Sequence, residues 1–227
     1  MELTQVINNR RSVRSFLPDP VPDDIIKDLL EAARLAPSPG NGQAWLFGVI
    51  RDDAVKKELA EAAGGQSWIA TAPVIIACCA KLEADLAELP EDDFGLIVNK
   101  TRFGEAFIDY MNAYPDRKMA NTFWTNAVPL IPGEHIFLAA VSHGLSSCWV
   151  GYLDTREAGK ILGLPDDVVC LFLLPIGYAN EEPEEIYRKA CEEIVFYDKW
   201  NAVNNQNAVT GTLHCEASKT MCITAEK

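Results

Sequence analysis

The sequence predicts a sandwich of helices and buried strands, α/β or α+β, on three observations. Residues 73–80 (PVIIACCA) and 168–175 (VVCLFLLP) are apolar runs of strand length without polar alternation, as in strands covered on both faces. Residues 23–36 place Ile25, Ile26, Leu29, Leu30 and Ala33 on one helical face. Helical and strand-like segments then alternate along the chain, as a layered sandwich requires.

Taken in order, residues 4–9 read as a short helix that delivers Arg10, Arg11 and Arg14 at its end. Pro18, Pro20 and Pro22 force an extended connection. Asp23 and Asp24 suit the positive N-terminus of the helix over 23–36, and APSPGNGQ breaks it with two prolines and two glycines. A strand is expected at 45–51, a helix at 53–63 and the covered strand at 73–80. Residues 94–111 look helical and 114–128 irregular. A helix over 133–145 follows, its apolar side including Ile136, Leu138, Ala139 and Val141, then a strand at 147–153. Asp154 and Glu157 stand at capping-box spacing before a helix over 154–162. Beyond Gly177 the chain turns acidic. EEIVFYDKW (192–200) has strand composition but no evident partner in its own chain. It fits either a strand completing the sheet of another copy or a helix packed at home.

The 227 residues fit one domain over 1–200 with a polar tail over 201–227, flexible or packed on a partner subunit. A net charge of −13 repels nucleic acid and anionic membrane, so neither is an expected partner. The first twenty residues hold no apolar signal core, and the run after Val168 is too short to span a bilayer. Seven cysteines without a CxxC pair read as buried reduced thiols of a cytoplasmic protein. His214, Cys215 and Cys222 make only half a metal site, and no metal is expected. GxGxxG, the P-loop, HExxH and GxSxG are absent, and His135 and His143 lie on an apolar helix. Any reactive group is therefore expected to be borrowed rather than supplied by a side chain.

Against the acidic background, NNRRSVRSF (8–16) is informative. Guanidinium groups form forked, charge-assisted bonds to phosphate, and a serine hydroxyl with freed backbone N–H groups fills the gaps. The alternative is a solvated basic edge that pairs with the chain's own acids. A second element, PSPGNGQAW (37–45), offers tight turns and the amides of Asn41 and Gln43. Amides both donate and accept, which suits the edge of a heterocycle, although an ordinary polar loop has the same composition.

Together with the helix ending EAARLAPSPGNGQAW, the strand APVIIACCA, GLSSCWVGYLD and LPIGY…YRKACEEIV, this ordered set resembles the nitroreductase family over roughly residues 3–200. The resemblance implies an α+β fold: a three-layer α/β/α sandwich with a mainly antiparallel central sheet, completed in a homodimer by a C-terminal strand. It also implies FMN bound at the dimer interface, with NAD(P)H and a small-molecule electron acceptor reaching the ring in turn. Carried over by residue, it places Arg10, Arg11 and Ser12 on the FMN phosphate and ribityl chain, and Arg14 toward the pyrimidine edge. Pro37, Ser38, Asn41 and Gln43 correspond to the loop supplied by the second subunit. Cys148, Trp149, Val150 and Gly151 line the ring, with a backbone N–H near N5, and Arg188 with Lys189 returns to the phosphate. No side chain is implied as catalytic. Val150 stands where some members carry an acid, and Gln66 is the nearest match for polar residues that some place around 64–68. Phe103, Phe107, Tyr110, Phe123 and Trp124 are candidates to roof the ring or simply to pack. Nitroaromatics, quinones and similar conjugated acceptors are the implied substrates. Flavin fragmentation, reductive dehalogenation and non-catalytic flavin sensing are the alternatives.

Overall fold

A computed structural model of the chain describes residues 1–38, 41–82, 89–113, 129–196 and 198. Residues Met1–Pro183 form one compact unit and Glu184–Lys227 a second. Among the described residues of the first, four strands pair in the order β1 (Trp45–Ile50), β2 (Val74–Lys81), β4 (Val168–Gly177), β3 (Ser146–Ser147), each antiparallel to its neighbouring strand. The architecture is the α+β sandwich that the resemblance implies.

Strand β2 shows why the sheet sits in the middle. It is buried at every position except Lys81, and its side chains alternate between two cores. Val74, Ile76 and Cys78 meet Leu29 and Ala33 of α2 (Asp23–Arg34), together with Ile136 and Ala140 of the helix Leu130–Ser142. Ile75, Ala77 and Cys79 meet Leu59 and Ala60 of α3 (Asp53–Ala62), Ile69 of the 3₁₀ turn Ser67–Thr71, and Ala158 of the helix Thr155–Ile161. Each fully buried Leu or Ile contributes about 1.5–3 kcal/mol relative to exposure. The continuous apolar run is thus the strand's two-sided burial written into sequence.

Strand β4 carries a bulge opposite the Cys78–Cys79 step. Cys78 pairs with Phe172 and Cys79 with Cys170, leaving Leu171 as the extra residue. The bulge resets the alternation, so Cys170 and Leu173, three apart, share one core while Leu174 and Ile176 face the other.

Several elements differ in extent from expectation. The helix expected over 94–111 is two, α4 (Phe94–Phe103) and α5 (Glu105–Asn112), because Gly104 between them adopts φ +81°. The next helix, α6 (Leu130–Ser142), starts before Gly133, since Pro132 sits in its first turn, where a missing N–H costs nothing. The strand expected over 147–153 reduces to β3 and a single bridge, Val150 to Leu173. Helix α7 (Thr155–Ile161) is capped by Asp154, whose carboxylate accepts the N–H groups of Arg156 and Glu157. The Glu157 side chain pairs with Lys160 at 2.9 Å.

In the second unit, Cys191–Ile194 forms a helical turn, α8, over residues with strand composition. The Glu193 carboxylate stabilises that turn by accepting the Ala190 N–H at 2.9 Å. The backbone becomes extended at Val195. The rest of that expected strand (197, 199 and 200), the tail 201–227 and the segment 114–128 lie outside the described residues.

Candidate functional site

Helix α1 (Leu3–Asn9) begins at Glu2, whose N–H is accepted by the Gln5 side chain, and ends as Arg10 turns out of helical backbone. From there the chain runs along the sheet edge beside β3. Ser12 bridges Ser147 in parallel, the Val13 N–H donates to the Ser147 carbonyl at 3.0 Å, and Phe16 bridges Ala179. The Leu17 N–H reaches the Tyr178 carbonyl, and the Asn180 N–H returns to that of Ser15. Val13 and Phe16 are 1% and 5% exposed and pack with Ala72 and Trp68. Burying these two apolar side chains leaves Arg10, Ser12 and Arg14 at the rim.

The side chains at that rim converge. The Arg10 guanidinium lies 5.4 Å from the Phe137 ring centroid and that of Arg14 6.0 Å from the Trp68 ring. Both act on the buried thiol of Cys148. Burial pushes that thiol up, while Arg14, a hydrogen bond with Ser12 and Arg10 pull it back, in that order. Glu181 also joins the site, its carboxylate accepting the Arg14 backbone N–H. Among the described residues neither the Arg10 nor the Arg14 guanidinium forms an ion pair. Arg11 is turned elsewhere: its Nη1 donates to the carbonyls of Asn8 and Arg10 at 2.7 and 2.9 Å and closes the end of α1.

The segment after β3 forms one wall. The Val150 N–H donates to the Leu173 carbonyl at 3.0 Å, and the Val150 carbonyl accepts the Leu173 N–H at 3.1 Å. In extended chain the following N–H, that of Gly151, points the other way, and Gly151 is exposed. Of the two backbone amides expected near a flavin, Val150's is committed to the sheet.

The amide loop lies at the opposite corner. Its residues brace one another: the Gln43 N–H donates to Ser38 Oγ, the Asn41 N–H to the Ser38 carbonyl, and Gln43 Nε2 to the Asn41 carbonyl. Asn41 and Gln43 hold φ of 56° and 48°, and both are exposed, as is Pro37. The loop feeds β1, where the Lys81 N–H bonds the Ala44 carbonyl. The arginines flank β3, which pairs at the Gly177 end of β4 on the far edge. At about 3.4 Å per residue and about 4.8 Å per strand, the two corners stand roughly 30 Å apart.

Other expected residues fall as follows. Arg188 and Lys189 are exposed in the second unit, with Arg188 Nη1 donating to the Tyr187 carbonyl. Gln66 is turned inward, its Nε2 donating to the Ala63 carbonyl at 2.7 Å. Trp68, two residues on, reaches Arg14 instead. Its pairing crosses more than fifty residues and left no local signal, as did the arrival of Glu181. His135 and His143 join α6 to α2, through the Ala32 carbonyl and Asp28. Tyr110 is exposed and Phe103 lies under the Arg102 guanidinium, while the Phe107 side chain, Phe123, Trp124, His214, Cys215 and Cys222 are outside the described residues. Among the described residues no helix is long and apolar enough to cross a membrane.

Fold and site together define an α+β sandwich protein with a cationic cradle against one edge of its sheet. A model of the nitroreductase family matches residues 7–178, and the chain belongs to that family. It is 32% identical over 188 residues to an NADH dehydrogenase of Thermus thermophilus, covering 83% of this chain and 92% of that one. It is 38% identical over 185 residues to the FMN reductase (NAD(P)H) of Bacillus subtilis, covering 82% of this chain and 57% of that one. The NADPH:FMN oxidoreductase from Vibrio harveyi, complexed with NAD+, shares the fold with a TM-score of 0.64 at 21% identity, over 90% of this chain and 81% of that chain. The chain is accordingly an NAD(P)H-dependent oxidoreductase of nitroreductase type.

Proposed function

We propose that the protein binds FMN between two copies of itself and uses NAD(P)H to reduce small conjugated acceptors such as nitroaromatics and quinones. The observation that carries this reading is the separation of the two half-sites. A guanidinium cradle and an amide loop, each suited to one part of a flavin nucleotide, occupy opposite corners of one sheet. A symmetric dimer can bring the loop of one chain to the cradle of the other. The names of the relatives support the cofactor and the coenzyme. The guanidiniums of Arg10 and Arg14, which form no ion pair among the described residues, fit an anionic ligand.

FMN, when bound, supplies the hydride chemistry, so the chain's task is binding, orientation and electrostatics. Arg10 and Ser12 would hold the phosphate and ribityl end, joined by Arg11 where it releases its helix contacts. Arg14 sets positive charge at the pyrimidine edge. Pro37, Ser38, Asn41 and Gln43 of the second copy supply amide contacts to the ring edge. Cys148 and Trp149 would shape the ring wall, Val150 holds that wall to the sheet, and the Gly151 N–H would serve as the donor toward the ring. The buried free thiols of Cys78, Cys79, Cys148 and Cys170 support a cytoplasmic location.

Two unit charges about 4 Å apart interact by roughly 4 kcal/mol at an effective dielectric of 20, before desolvation is discounted. For a two-electron couple, about 1.4 kcal/mol corresponds to about 30 mV. Arg14→Ala is therefore expected to lower the flavin potential by tens of millivolts while FMN affinity falls less; an unshifted potentiometric titration removes this role. The reading as a whole is tested by anaerobic absorbance of the FMN-loaded protein with NADH and with NADPH. Rapid bleaching is expected with at least one. Failure to take up FMN overturns the reading, and a bound flavin that neither coenzyme bleaches favours a sensor.

A further inference from the structure

The flavin site leaves Glu134, a half-buried carboxylate on an otherwise apolar stretch of α6, without a part. Its Oε2 accepts the indole N–H of Trp149 at 2.9 Å. The same indole is fixed from two further sides. It stands edge-on to Phe172, with ring centroids 5.5 Å apart and planes at 86°. It also fills the space left by the absent side chain of Gly133, where a Cβ would come within 2.4 Å of Cη2. Gly133 and Glu134 are adjacent, so one turn of α6 supplies both the slot and the acceptor.

We propose that Glu134 is a positioning residue: through Trp149 it sets the backbone that presents the Gly151 N–H to the flavin. Regular pairing of this segment ends at Ser147, and from Cys148 to Gly151 the bridge between Val150 and Leu173 is the ladder contact that remains. A side-chain anchor on the intervening residue restricts what the ladder no longer holds. A half-buried carboxylate is costly unless hydrogen-bonded, and the indole N–H meets that need. Packing alone would be served by leucine at 134. The choice of glutamate marks the direction of the indole as the feature that is held. The effect on the cofactor rests on the FMN reading above; the restraint on the backbone does not.

The experiment compares Glu134→Leu, Glu134→Gln and Trp149→Phe with the wild-type chain. Two quantities are read: amide exchange at Val150 in the FMN-free protein, and the ratio of affinities for oxidised and reduced FMN. Trp149→Phe keeps an aromatic ring at the slot but removes the donor together with part of the indole's bulk; it guards against a leucine variant that fails to fold, and Glu134→Gln separates the lost bond from the lost volume. Glu134→Leu and Trp149→Phe are expected to speed Val150 exchange about tenfold. They are expected to change the affinity ratio about tenfold, a shift of about 30 mV in the bound couple. Glu134→Gln, which keeps an acceptor oxygen, is expected to restore both toward wild type. Unchanged exchange in Glu134→Leu and Trp149→Phe overturns the proposal. If the wild-type chain takes up no FMN, the flavin reading fails separately, and exchange at Val150 still decides whether Glu134 restrains the wall.

Discussion

The two edges of the sheet are held in opposite ways. Beside β3, residues 12–17 are tied to Ser147, Tyr178 and Ala179 by backbone bonds and anchored by the buried Val13 and Phe16. Beside β1, Ser38, Asn41 and Gln43 brace one another, and Asn41 and Gln43 are exposed. One half of the site is built before any ligand arrives. The other is shaped but left facing outward, as a surface that a second copy completes would be. Fixing the charged half makes sense physically, because guanidiniums preorganised against aromatic rings lose less freedom on binding.

The largest expected effect comes from breaking the fixed edge. Phe16→Ala removes a buried aromatic and should cost about 3–5 kcal/mol of stability, read from the urea midpoint. FMN affinity should fall with it, since residues 12–14 are positioned through that anchor. A smaller wedge at the same place is Gly177→Ala. Its new Cβ would lie 2.5 Å from Pro73 Cδ and 3.2 Å from Phe16 Cδ1, and overpacking of this kind costs about 1–3 kcal/mol. If either variant leaves FMN affinity at the wild-type value, the cradle is not preorganised as described.

The difference between the edges also explains what the sequence disclosed. PVIIACCA was readable as a strand because both faces of β2 are buried, so every position had to be apolar. RRSVRSF stood out because its charge opposed that of the whole chain. What stayed hidden was non-local. Nothing near Arg11 signals that it turns back on α1, and nothing near Trp68 or Glu181 signals that each meets Arg14. The bulge at Leu171 and the break at Gly104 are single-residue features whose effect depends on the packing around them. The strand after Ser147 was overestimated because its apolar residues serve the indole slot and the Leu173 bridge rather than a longer ladder.

Titration offers a milder probe of the fixed edge. Burial holds the Cys148 thiol above the ordinary 9.0, so the folded state keeps a proton that the unfolded chain releases near that value. Stability from this group is intact below pH 9 and falls as the pH rises above it. Cys148→Ala should make the alkaline decline shallower in urea titrations between pH 8 and 10.5, with the remaining slope due in part to the buried Cys78. Gln43→Ala, on the opposite edge, should leave the slope as in wild type. Equal slopes in wild type and Cys148→Ala would mean that the thiol is not held neutral at the cradle.

A small effect on stability, about 1 kcal/mol because Asn41 sits at positive φ, is expected from substitutions in the exposed loop, and these make the sharpest test of the dimer. Asn41→Ala with Gln43→Ala should stay folded yet bind FMN weakly. Arg10→Ala with Arg14→Ala should also bind weakly, through damage to the other corner. If each site takes its cradle from one copy and its loop from the other, unfolding and refolding the two variants together produces mixed dimers. Each mixed dimer holds one site with both halves intact and one with neither. Random pairing of equal amounts would then restore about one site in four, counted by tightly bound FMN, although neither parent binds well. A site formed within a single chain predicts no recovery, since every chain in the mixture still carries one broken half. The outcome depends only on which chain supplies each corner, and so it reads the separation of the two edges directly.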